Sequence, residues 1–331
     1  MILGLFGKKA LLLVALLLLG LIFLPQAAPR FYIYLGSLIL VTGLAATSLN
    51  LVLGYGGMYQ FHHAVFYGTG AYATALILTR TGLPAWLAFP AAPLAAALLG
   101  LLMGLICTRL SKLHFGMLQI ALGSLVWAVV YRWYSFTGGD DGIHGVPVPA
   151  AITGTTPSYY FILAVAAVCL LLMFIVVNSP FGRILQAIRD NPDRCRAIGV
   201  NVARHQTVAM VIAAFFAGIA GALFLVLEGS VFPELLFWSL SLEILIMCLL
   251  GGWFTFLGPM LGAAIIVILR TFVGIYTDYW TMVLGLLMMF LILFLPKGVL
   301  GFFHDLFRPK PGLNQAQEKT FATDRVSKKI V

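Results

Sequence analysis

The chain has 331 residues, 62% of them hydrophobic, and a mean hydropathy of +1.04. A water-soluble domain of that length cannot hide so much apolar surface, so the solvent along most of the chain is lipid. Basic residues outnumber acidic ones 20 to 11; the preference of Lys and Arg for the cytoplasmic side of a membrane accounts for that excess, and no nucleic-acid partner is needed to explain it.

A helix needs roughly 20 apolar residues to cross the hydrocarbon core. Candidate spans fall in chain order at 10–23, 31–53, 64–79, 84–107, 116–134, 159–177, 207–227, 240–257, 258–275 and 279–295, about ten in all. The first has a rival reading as a signal peptide, with Lys8 and Lys9 ahead of an apolar core and Gln26-Ala27-Ala28 behind it; Pro29 directly after the candidate cleavage site argues for retention. With the N-terminus inside, sixteen basic residues fall on the cytoplasmic side and four (Arg30, Arg80, Arg132 and Arg270) on or near the outer side. The expected fold is an all-α, polytopic bundle in the inner membrane, with both termini cytoplasmic. Residues 1–307 form the membrane domain, and the polar stretch 308–331 is expected to be a disordered cytoplasmic tail.

The glycine-rich run GYGGMYQFHHAVFYGTGAY, residues 54–72, follows the second span and extends into the third. Gly68 and Gly70 remove side chains and let helices approach closely in lipid, which makes packing the plain reading. His63 is a titratable group near a membrane end, a position that favours contact with protein or water over lipid. It reads either as a histidine packed against protein or as a hydrogen-bonder on a solute pathway, while its neighbour His62 could equally meet a lipid headgroup. Neither it nor His62 has a second ligand at metal-binding spacing, and no cofactor is expected. Between the fifth and sixth spans, FTGGDDGIHGVPVP (136–149) builds turns from glycine and proline and exposes Asp140 and Asp141. Either a structured lid or a docking surface fits it. Glu243, in the eighth span, can pair with Arg270 or Arg132.

The long apolar pattern breaks at 178–206, which carries Arg183, Arg189, Arg194, Arg196 and Arg204. Ser179 caps a helix and Pro180 suits its first position. Phe181, Ile184, Leu185 and Ile188 form one apolar face at helical spacing, with Arg183, Gln186, Arg189 and Asp190 mostly away from it. Asn191-Pro192 ends this helix, and Asp193 is expected to cap a second turn that closes at Gly199. Two readings fit: a helix lying on anionic lipid, or a docking helix whose apolar face and arginines enter a groove on a cytoplasmic partner.

This loop resembles the signature cytoplasmic loop of branched-chain amino acid ABC importer permeases, the LivM-type membrane subunits. Ser179, Pro180, Phe181, Gly182, Arg183, Ala187, Ile188, Arg189, Asp190, Asn191, Gly199, Val200 and Val202 occupy the pattern. Gly54, Gly57, His63, Ala64, Phe66, Gly68, Gly70, Ala71 and Tyr72 fit the family's glycine-rich run, with Gln60 and His62 in place of its usual serine and glycine. Thr137, Gly139, Asp141, Gly142, Ile143, Gly145, Val146 and Pro147 fit its outer loop. GGWFTFLGPMLGA (251–263) parallels a further motif, with Phe254 where glycine is usual.

The resemblance implies a type II ABC importer-like fold and a translocation pathway for branched-chain or other aliphatic amino acids. Urea and short amides are carried by very similar permeases. It implies that Ser179, Pro180, Phe181, Gly182, Arg183, Leu185, Ala187, Ile188, Arg189 and Asp190 form the coupling helix that meets an ATPase. It further implies that Gln60, His63, Phe66 and Tyr72 lie on the pathway and that Gly139, Asp141 and Gly142 belong to an outer loop facing a binding protein. The implied partners are a second homologous permease, two cytoplasmic ATPases and an extracytoplasmic binding protein. The chain itself has no phosphate-cradling G-x-x-x-x-G-K-[ST] loop, so it does not hydrolyse ATP. A secondary transporter or channel would call for more intramembrane ionisable groups, and an intramembrane enzyme for a nucleophile–base pair.

Overall fold

The computed structural model describes residues 19–26, 28–81, 84–110 and 112–276, and beyond them 279, 282, 283, 285, 286, 289 and 298. Among these, the chain is nearly all helical. The long elements are α1 (Arg30–Asn50), α2 (Ala64–Leu76), α3 (Ala85–Cys107), α4 (Lys112–Arg132) and α5 (Thr155–Asn178). The loop helices α6 (Pro180–Asp190) and α7 (Pro192–Ala197) follow, and then α8 (Val202–Glu228), α9 (Trp238–Gly251) and α10 (Gly258–Tyr276). Six helices among the described residues are long and apolar enough to cross a membrane: Arg30–Tyr55, Trp86–Cys107, His114–Arg132, Thr155–Asn178, Val202–Glu228 and Gly258–Tyr276. Most of the first and last sequence-predicted spans, and all of the polar tail, lie outside the described residues.

One sequence-predicted span is shorter than expected, and another changes helix type along its length. The span at 240–257 stops at Gly251, because Gly252 takes φ +111° and the chain turns through 253–257 before α10. The span at 64–79 begins as α2 and finishes in a π-turn, Ile77–Thr81. Another π-turn, Leu51–Tyr55, widens the end of α1. The chain then runs without helical structure from Gly57 to His62 and re-enters the bundle to start α2. That start is held from outside: Ser241 Oγ on α9 accepts a hydrogen bond from the Ala64 amide at 2.8 Å.

α8 is the central post. It packs on α2 and α3 through small residues, so backbones meet where lipid offers no driving force of its own. A Cβ on Gly70 would lie 2.3 Å from the Gly218 carbonyl oxygen, and one on Gly221 would lie 1.9 Å from that of Tyr67. On one side of α8, a core around Leu44, Leu49, Ile162, Met173 and Ile266 joins α1, α5 and α10. A second, around Val52, Phe66, Met103, Met210 and Leu236, joins the π-turn to α2 and α3.

Candidate coupling face and outer loop

α6 is built as its sequence dictates. Ser179 adopts extended backbone, and its Oγ accepts from the Gly182 amide at 3.4 Å with Pro180 at the first helical position. Gly182 is pressed onto the end of α5, where a Cβ would stand 2.0 Å from the Val177 carbonyl oxygen. This contact folds α6 sharply back from α5. Asn191, before Pro192, ends α6. The second turn, α7, is capped by Asn191 rather than Asp193: Asn191 Oδ1 accepts from the Arg194 amide at 3.0 Å. Asp193 sits inside α7 and faces Arg196, an exposed pair that contributes little stability. One asparagine therefore closes one helix and opens the next, which fixes the angle between them.

The apolar face of α6 is occupied by the chain itself. Leu185 is 0% and Ile188 2% exposed. Ile188 packs with Cys195, Val202, Ile184 and Val200 in a small core under the loop, and half-buried Phe181 stacks on His205 at 6.0 Å. The sequence expectation of an apolar face free to enter a partner's groove is corrected accordingly. What remains open is the opposite stripe, with Pro180, Arg183, Ala187 and Asp190 exposed at helical spacing. Arg194 and Arg196 are exposed on the adjoining turn.

Arg189 also departs from expectation. It turns inward instead of joining the exposed stripe, and its side chain is 27% exposed. Its Nη1 donates to the Gly54 carbonyl at 2.7 Å, and its guanidinium carbon lies 5.3 Å from the centre of the Phe254 ring. Gly57, at φ +63°, makes room: a Cβ there would meet Arg189 Cγ at 2.5 Å. One arginine thus ties α6 to the end of α1 and to the turn between α9 and α10. Beside it, a cavity of about 40 Å³ is lined in part by Gly56, Met58, Thr108, Phe115, Pro192 and Gln206. Phe254, which stands where the resembling pattern has glycine, is the ring that Arg189 covers.

The expected pathway residues are enclosed within the chain: Gln60 is 1%, His63 0%, Phe66 0% and Tyr72 4% exposed. His63 Nε2 lies 2.8 Å from Ser48 Oγ, which itself lies 2.7 Å from the Ala45 carbonyl oxygen as its donor. The network therefore assigns the ring proton to Nε2. The ring meets Phe66 edge-on at 5.7 Å. Among the described residues, no group of His, Cys, Asp or Glu could hold a metal ion.

At the other end of the bundle, the outer loop is stapled down. Ile143 and Val231 exchange both backbone hydrogen bonds at 2.9 Å, and the Val146 amide donates to the Gly229 carbonyl at 3.0 Å. Gly139 is buried at φ +60°. Gly142, at φ +74°, touches the Val231 carbonyl, where a Cβ would come within 2.2 Å. Asp141 is exposed and accepts a hydrogen bond from the Tyr134 hydroxyl; that bond is the first cause holding the phenol above its ordinary value. Arg80 stands over Phe136 at 6.0 Å beside an open cleft. Of the two partners offered to Glu243, the structure selects Arg270, at 3.3 Å. The sequence reading did not anticipate Ser48, Gly54 or Val231 as partners, since each contributes through backbone or a small hydroxyl.

A family profile described as branched-chain amino acid transport system / permease component matches residues 31–293. The high-affinity branched-chain amino acid transport system permease protein LivM of Escherichia coli (strain K12) is 28% identical over 338 residues, covering 94% of this chain and 79% of that protein. The corresponding LivM of Salmonella typhimurium is 27% identical over 339 residues, with the same coverage of 94% and 79%. The permease protein LivH of Escherichia coli (strain K12) is 25% identical over 281 residues, 78% of this chain and 90% of that protein. No solved structure matches. The multi-pass helical bundle and the family match over residues 31–293 lead to one conclusion: the chain belongs to the branched-chain amino acid transport system permease component family and is a permease subunit of an ABC importer.

Proposed function

We propose that this permease imports branched-chain or other aliphatic amino acids across the inner membrane of a bacterium or archaeon. It would work beside a second, homologous permease, two cytoplasmic ATPases and an extracytoplasmic binding protein. That relatives of this chain include both a LivM and a LivH of one organism supports a paired arrangement. The full bundle has about ten spans in a type II importer-like arrangement, with both termini and the 178–206 loop in the cytoplasm. Charge supports that orientation. Among the described residues, the loop end holds Arg109, Lys112, Arg183, Arg189, Arg194, Arg196 and Arg204 against the acidic Asp190 and Asp193. The opposite end holds Arg30, Arg80, Arg132 and Arg270, diluted by Asp140, Asp141, Glu228, Glu234 and Glu243.

The observation that carries the mechanism is the two-sidedness of α6. Its exposed stripe of Pro180, Arg183, Ala187 and Asp190 is the contact for the ATPase, and inward-facing Arg189 passes displacement to the ends of α1 and α9. Closure of the ATPases moves α6, and the spans rock between outward- and inward-facing states. The outer loop, held rigid by its bridge to Val231, is the landing surface for the binding protein. Proteoliposomes holding all subunits should take up radiolabelled leucine only when ATP reaches the loop face. Equal uptake by the permeases alone, driven by an ion gradient, would replace this reading with a secondary transporter.

A further inference from the structure

α4 meets the bundle along one narrow face, and its other side is bare, with Met117, Leu125 and Val129 exposed. On the inner face, Gly116 and Gly123 let the non-helical stretch 57–62 lie against the helix. A Cβ on Gly116 would stand 2.8 Å from the Phe61 ring, and one on Gly123 would stand 2.4 Å from the His62 ring. Gln119 lies between the two glycines at helical spacing, so it shares that face.

The two elements of this seam, α4 and the 57–62 stretch, carry polar atoms with no protein partner. Both amide atoms of Gln60, both ring nitrogens of His62 and Oε1 of Gln119 are buried and unpartnered. The three residues are 1%, 1% and 0% exposed. Gln119 Nε2 has only the Met210 sulfur at 3.5 Å, a weak acceptor. An idle buried polar atom is costly, and five on two neighbouring elements call for a partner that the chain itself does not supply.

We propose that the seam between α4 and the 57–62 stretch is a solute station, and that Gln60, His62 and Gln119 receive the polar head of the transported molecule. The inference rests on the permease reading. Amides and a neutral imidazole offer donors and acceptors together but no fixed charge. The matching head is therefore neutral overall and carries both: an amino-acid zwitterion, or a carboxamide or urea group. A net ion would remain uncompensated there. α4 lies against the 57–62 stretch through its two glycines and is held further along by Trp127 packed on Phe237 at 5.0 Å; its outward swing opens the station.

Equilibrium binding of radiolabelled leucine, acetamide and urea to the complete permease–ATPase complex, without binding protein or ATP, tests this. Wild type should bind at least one of the three saturably; leucine identifies a zwitterion site, and acetamide or urea an amide site. Gln119→Leu should weaken that binding about tenfold, the loss of one buried hydrogen bond, while the permease–ATPase complex still assembles and elutes as wild type on size exclusion. His62→Gly, which only removes contacts, should act in the same direction. Absence of saturable binding by wild type, or equal binding by both variants, would overturn the station. ATP-driven leucine uptake would then still stand as the separate test of the permease itself.

Discussion

Arg183→Glu should release the ATPase subunits from the complex, whereas Arg189→Met should retain them and still lose transport. The two arginines sit six residues apart on one short helix, yet they face different neighbours. Arg183 is exposed on the outer stripe of α6, and reversing its charge opposes any acidic partner there. Arg189 reaches the Gly54 carbonyl and the Phe254 ring inside the chain. A charge-assisted hydrogen bond and a half-buried cation–π contact together amount to about 2–4 kcal/mol. Removing them frees α6 from the end of α1 by a factor of about 30 or more in the equilibrium between held and released positions. Co-purification should therefore be normal for Arg189→Met and ATP hydrolysis should continue, while leucine uptake falls at least about tenfold. Loss of ATPase binding in Arg189→Met, with normal binding in Arg183→Glu, would reverse the assignment.

Gly221→Leu should empty the membrane of folded protein. Its Cβ would lie 1.9 Å from the Tyr67 carbonyl oxygen and 2.9 Å from the Ala71 amide nitrogen, both backbone atoms of α2 that cannot step aside. The helices must separate along a seam where backbone meets backbone, at a cost of about 3 kcal/mol or more. The comparison variant is Gly274→Ala, where a Cβ meets nothing within 4 Å. Alanine there improves helix propensity by up to about 1 kcal/mol. Fluorescence-detected size exclusion of solubilised protein should show a monodisperse peak for Gly274→Ala and its near-complete loss for Gly221→Leu. A normal peak for Gly221→Leu would mean that α2 and α8 are not in backbone contact.

What could be read from the sequence follows from what each signal encodes. Apolar runs reveal spans because lipid demands them, and helices stand at the predicted places from α1 to α10. The punctuation of the loop was equally plain, since Ser179, Pro180 and Asn191-Pro192 act through their own backbone. The early stop of α9 was not, because Gly252 continues an apolar run and only its positive φ betrays the turn. Arg189 was misplaced because helical spacing locates a Cα, while a long side chain beside Ile188 can bend around to a carbonyl one turn-width away. Asn191 was overlooked as a cap because it was already assigned as a stop. Gln119 drew no notice at all, being one amide in an apolar helix, and only its burial beside the His62 segment gives it a role.

The coupling mechanism depends on which face of α6 meets the ATPase, and cysteine cross-linking reads that directly. Single cysteines at Arg183 and Ala187, on the exposed stripe, should cross-link to the ATPase subunit in the assembled complex and be labelled from the cytoplasmic side by an impermeant maleimide. A cysteine at Leu185, fully buried beneath that stripe, should do neither. Labelling of position 183 from outside intact cells, or a cross-link from position 185 and none from 183 or 187, would contradict the account.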